Sequence, residues 1–134
     1  MGYHVVDPAG LDPTADHPSD RRSISETVDL TTLAAAVYEI APGESLARTY
    51  HYHEAREELF YVLDGTLRVR TPEETYEVSA GSVFVAEPGS PHLAHVPDDA
   101  TASARVLGVG APGYDPAKPY DPDDGHADQP ESGE

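Results

Sequence analysis

His51 and His53 stand one residue apart in the stretch "HYHEAREELFYVLDG", and Glu58 follows five positions after the second. A further histidine, His92, ends the turn-rich run "EPGSPH". Imidazole nitrogens and a carboxylate oxygen are donors that divalent first-row metals accept. In an extended segment, residues two apart point to one side, so His51 and His53 are neighbours. Glu58 opens the next apolar run, beyond the short loop "EAREE", and His92 begins a later one. Converging inside a barrel, His51, His53, Glu58 and His92 would hold one divalent transition metal. Iron, manganese, nickel, copper and zinc all suit that donor set. Four protein donors leave open positions on a five- or six-coordinate ion, where a small molecule can be polarised. A lone His-x-His carries little weight; the ordered set of four carries the reading. Glu57 competes with Glu58 for the carboxylate role, although strand periodicity puts it on the opposite face. His95 falls on the face opposite His92, and His4, His17 and His126 lie in the chain's arms and read as solvated.

Short β-like runs must position these residues. Strands are expected near 33–40, 48–53, 58–63, 66–71, 74–78, 83–86, 92–96 and 102–109, broken by "APGES", "DG", "TPEE", "SAGS", "EPGSP" and "PDDAT". Asp64-Gly65 between two apolar runs predicts a tight hairpin. The stretch "ISETVDLTTLAAAV" reads equally as a helix from Ser25 or as a strand running into Pro42-Gly43. Strands of this length and spacing predict an antiparallel sandwich or barrel. Composition divides the chain into an irregular N-terminal arm (1–32), a β-barrel (33–110) and an acidic, Pro/Asp-rich tail (111–134). The tail is expected to be extended or disordered, at least beyond Tyr120, with its first half able to lie against the body.

The order Gly43, His51-x-His53, Glu58, Gly65, then Gly81 and "VFVAEPGSPH", resembles the two motifs of the cupin superfamily over about residues 33–110. Gly43 to His51 is slightly longer than the commonest spacing, and Glu87 and Val96 stand where proline and asparagine are frequent. No ligand position is lost. The resemblance implies an all-β, antiparallel double-stranded β-helix (a jelly-roll or cupin barrel) with His51, His53, Glu58 and His92 as metal ligands. It also implies a homodimer, paired through outer strand faces. Family activities include dioxygenases, isomerases, decarboxylases and lyases, and the fold does not choose among them. A non-catalytic pocket for a sugar or small acid, or a purely structural metal, fits the same residues.

Charge narrows the partners. The 134 residues carry 25 acidic and 8 basic side chains, a formal net charge of −17. Such a field repels phosphate backbones and anionic lipid, so neither nucleic acid nor membrane is an expected partner. Lys118 is the single lysine, and an acid-rich, lysine-poor surface suits a salt-accumulating microorganism, where ionic strength screens self-repulsion. There is no cysteine, which excludes disulfides and thiolate chemistry. No secretion signal and no membrane-length apolar run is evident, so a cytoplasmic protein is expected. Arg68 and Arg70 share one strand face; inward they would attract an anionic substrate, outward they would balance the acidic surface, and the outward placement is favoured.

Overall fold

The structure is a computed structural model and describes residues 2–123. Ten strands are formed in chain order: β1 Asp20–Ser23, β2 Ala34–Ile40, β3 His51–Tyr52, β4 Glu57–Asp64, β5 Thr66–Arg70, β6 Thr75–Ser79, β7 Val83–Ala86, β8 Leu93–His95, β9 Ala104–Ala111 and β10 Lys118–Pro119. A five-stranded sheet has the order β1-β2-β9-β4-β7, a three-stranded sheet β6-β5-β8, and β3 pairs with β10. Every pairing is antiparallel. Among the described residues helix is confined to the 3-10 turn Pro8–Gly10 and the single turn α1, Ile24–Thr27. Ser23 caps α1 by accepting from the Glu26 N–H. The ambiguous stretch after Ser25 therefore divides: one helical turn, then the strand β2.

The two sheets face each other, and alternation along each strand fills the space between them. Ile40, Phe60, Val62, Ala104 and Val106 come from the large sheet, Leu67, Val69, Val78 and Ala94 from the small one, and all are buried in one cluster. Each large side chain so buried contributes about 1.5–3 kcal/mol. The opposite parity leaves Arg68 and Arg70 outside. Arg68 pairs with Glu77 at 2.5 Å, and the Arg70 guanidinium lies 5.7 Å from the Tyr50 ring centre.

Two local expectations are corrected. Asp64-Gly65 makes no hairpin, because β4 pairs with β7 and β9 whereas β5 pairs with β6 and β8. The chain instead turns a corner there from one sheet into the other, next to a register shift between Val62 and Asp64. Turn chemistry looks the same in sequence whether the strands it joins are partners or not. The strand expected over 48–53 shortens to His51–Tyr52, since residues 46–50 follow a bent path.

Pairing also runs past both boundaries drawn from composition. β1, in the arm, zips onto β2 from Asp20↔Glu39 to Ser23↔Ala36. Beyond the barrel, β10 pairs with β3, and the Tyr120 N–H donates to the Tyr50 carbonyl. Residues 124–134 of the tail, including His126, lie outside the described residues.

Candidate metal centre

β3 and the start of β8 meet in a single antiparallel bridge: His51 and His92 exchange backbone hydrogen bonds of 3.2 and 2.9 Å. This puts their rings side by side, centroids 5.0 Å apart. His53 lies two residues on, its ring 5.0 Å from that of His51. Glu58 arrives from the large sheet, on the inward face of β4 together with Phe60 and Val62. Glu57 is exposed, so the inward carboxylate is that of Glu58. One donor atom each from His51, Glu58 and His92 lies within 4.8 Å of the other two. His53 is adjacent, with its Nε2 3.6 Å from Glu58 Oε2. All three imidazoles are buried.

Each ring is fixed by a backbone carbonyl. His51 Nδ1 lies 2.7 Å from Thr49 O, His53 Nδ1 2.7 Å from Asp115 O, and His92 Nδ1 2.9 Å from Ser90 O. A carbonyl oxygen only accepts, so Nδ1 carries the proton and the Nε2 of each neutral ring presents a lone pair. This is the arrangement by which outer partners orient metal-ligating histidines. Its consequence shows at His92 Nε2 and Glu58 Oε1, 3.1 Å apart, buried and without a hydrogen-bond partner. Two acceptors buried against each other repel, and a cation between them removes the conflict. The residues therefore fit a divalent ion.

Electrostatics agree. Burial holds the His51 imidazole below its ordinary pKa, which favours the neutral, ligating form. Burial pushes the Glu58 carboxyl up, but positive charge beside it, on His92 and His53 when a proton stands in for the ion and on Arg56 always, outweighs this and holds it below the usual glutamate range. Arg56 Nη1 donates to Glu58 Oε2 at 3.3 Å. Its aliphatic stem fits because position 110 is glycine: a Cβ there would stand 2.7 Å from Arg56 Cδ.

The centre opens into a cavity of about 930 Å³. Phe60 and Phe84 flank His92, with ring centroids 5.8 and 6.1 Å away. Tyr38, on the inward parity of β2 with Ala36 and Ile40, lines the cavity, and a Cβ at Gly108 would meet its ring at 3.0 Å. Arg21 is the cross-strand partner of Tyr38, and its positive charge beside the phenol works against the effect of burial. Burial pushes the Tyr38 phenol up, so it is protonated at neutral pH. Sequence reasoning missed Tyr38, Arg56 and Asp115. Strand parity could have pointed to Tyr38; Asp115 and the carbonyls that aim Arg56 meet their partners from 56 to 62 residues away, and nothing local marks them.

With this geometry in place, the chain also matches the cupin domain family over residues 36–109. The chain belongs to the cupin family. Solved cupin-like structures share its fold at low identity. The polyketide cyclase RemF from Streptomyces resistomycificus is 21% identical, with 97% of this chain and 96% of that one covered and a TM-score of 0.72. KdgF from Halomonas sp. is 21% identical over 85% and 96% of the two chains, TM-score 0.69. A sugar phosphate isomerase of the cupin superfamily from Silicibacter pomeroyi is 16% identical over 81% and 75%, TM-score 0.67. No curated protein sequence matches this cupin. Among its described residues no helix is long and apolar enough to cross a membrane.

Proposed function

We propose that this cupin is a metal-dependent enzyme that rearranges a small organic molecule, in the manner of an isomerase. The observation that carries this is the set of Nε2 lone pairs and the orphaned Glu58 oxygen at one end of a cavity large enough for such a molecule. A bound divalent ion supplies Lewis-acid polarisation of a substrate oxygen. The chain's own groups then orient and protonate: Arg21 stands beside Tyr38 across the β1–β2 pair, and the Tyr38 hydroxyl offers a proton inside the cavity. Relatives by fold that are named a sugar phosphate isomerase and a polyketide cyclase support a rearrangement over an oxidation. Holding a sugar or small acid without turnover is the second reading. It is supported by Arg56, which occupies one oxygen of Glu58 and leaves the ligand set without a free base.

The test is to incubate zinc- or manganese-loaded protein with sugar phosphates, uronates and polyphenols and follow each by NMR. Product is expected from at least one class. Tyr38→Phe should slow its formation by about 100-fold or more at unchanged metal content. Saturable thermal stabilisation with no product from any class would leave the binding reading in place of the enzyme.

The working form is proposed to be a homodimer, in a protein adapted to high salt. Leu59, Tyr61 and Leu63 on β4 and Val83 and Val85 on edge strand β7 are exposed by 37–62%. Their register sets Leu59 beside Val85 and Tyr61 beside Val83, an uncharged patch on a chain of net charge −17. Such a patch suits a self-complementary interface. Light scattering in molar salt, where self-repulsion is screened, should return twice the chain mass. A monomer mass there would remove this reading.

A further inference from the structure

Residues 111–120 run on from the end of the last barrel strand, and they make contacts that converge on the metal centre. Asp115 is the focus. Its carbonyl oxygen accepts from His53 Nδ1 at 2.7 Å. Its carboxylate accepts from the Ala55 and Arg56 N–H groups at 3.0 and 3.1 Å, closing the loop that joins His53 to Glu58. Two neighbouring carbonyls, Pro112 O and Gly113 O, accept from Arg56 Nε and Nη2 at 3.1 and 2.7 Å, so the guanidinium is aimed at Glu58.

The segment is held at both ends. At one, the Gly113 N–H donates to the Thr32 carbonyl. At the other, β10 pairs with β3, and the Tyr120 ring packs on Tyr50 with centroids 5.0 Å apart. His51 and His92 take their orienting carbonyls from residues two positions away in sequence, Thr49 and Ser90. His53 takes its own from 62 positions away.

We propose that residues 111–120 form a strap that completes the metal site, with Asp115 as the positioning residue that sets His53 in its Nδ1–H form and Arg56 against Glu58. This rests on the metal-binding reading. A barrel ending at β9 would carry His51, Glu58 and His92 as a preformed three-donor group and a loosely held fourth. The strap therefore sets affinity for the ion and contributes no ligand itself. Outer partners of metal-ligating histidines are worth about 10–100-fold in affinity, which sets the size of the effect.

The experiment compares the full chain with Asp115→Ala and Asp115→Asn by zinc competition against a chromophoric chelator. In parallel, the metal-free proteins are followed by the ¹⁵N signals of the His53 ring. Asp115→Ala should weaken zinc binding by about 10–100-fold and mix the two His53 tautomers. Asp115→Asn keeps an oxygen for the Ala55 and Arg56 amides and should restore most of both properties. Zinc bound as tightly by Asp115→Ala as by the unaltered protein, with His53 still in its Nδ1–H form, would overturn the strap. If the unaltered protein binds no zinc, the metal reading falls, and the His53 signals alone then decide the strap. An Asp115→Ala protein that does not fold leaves the decision to Asp115→Asn, whose ring signals must match the unaltered protein or the proposal fails.

Discussion

Glu58→Gln is expected to weaken divalent-metal binding by more than about 100-fold while leaving the metal-free protein folded and nearly as stable. The replacement keeps the side chain's shape and removes its charge. Its amide nitrogen would stand where Oε1 now faces His92 Nε2 at 3.1 Å, turning two opposed acceptors into a hydrogen bond. Its amide oxygen would stay opposite Arg56 Nη1, now 3.3 Å from Oε2. A new hydrogen bond contributes about 1 kcal/mol, and losing the charge from the Arg56 contact costs a similar amount, because Arg56 keeps its two carbonyl partners. The unfolding free energy of metal-free protein, measured in urea, should therefore change by less than about 1 kcal/mol. Elemental analysis and chelator competition measure the affinity. Unchanged affinity would remove Glu58 from the centre, and collapse of the metal-free protein would make it a structural partner of Arg56 instead.

Gly65→Val should be the most destabilising single change at a turn, by about 3–4 kcal/mol against a total that is about 5–15 kcal/mol for domains of this kind. Gly65 has φ of +77°, where a β-branched side chain is strained, and a Cβ there would stand 2.4 Å from the Ser103 carbonyl oxygen. That neighbour is backbone at the entry to the central strand β9, so relief requires the corner between the sheets to move. Gly81 is the control. Its φ is +92°, but nothing lies within 4 Å of a Cβ, so Gly81→Ala carries the conformational cost alone, about 1–2 kcal/mol. Urea unfolding at constant m-value compares the two. Equal losses at both positions would show that contact with Ser103 contributes nothing.

Much of this architecture could be read from periodicity and punctuation. β7 falls on the residues expected, 83–86, because "VFVA" is bounded by "SAGS" and "EPGSP". Glu58 is distinguished from Glu57 by strand parity, which holds wherever one face is buried. What eluded the sequence was partnership at a distance. Asp64-Gly65 announces a turn but not whether its flanking strands pair, and here they enter different sheets. The approach of His51 to His92 rests on one isolated bridge outside any long ladder, so spacing names the residues without saying how they meet. Residues 111–120 read in composition as a tail able to lie against the body, with nothing to say where it docks. Their role comes from hydrogen bonds to His53, Arg56 and Tyr50 that no local pattern encodes.

The interior face of β9 reads Ala104, Val106, Gly108, Gly110, so the strand loses its side chains as it approaches the metal centre. The hollow beside the ligands is thus made by missing atoms on one strand, and the two layers need not splay apart to create it. β9 carries no ligand, which separates two kinds of inheritance. The donor set can stay fixed while the shape of the chamber drifts by single methyl groups. An alanine at 108 would press on the Tyr38 ring, and one at 110 on the stem of Arg56, whose guanidinium is held by hydrogen bonds. That wall therefore sets the room beside the ligands and, through Tyr38 and Arg56, the placing of two polar groups that face them.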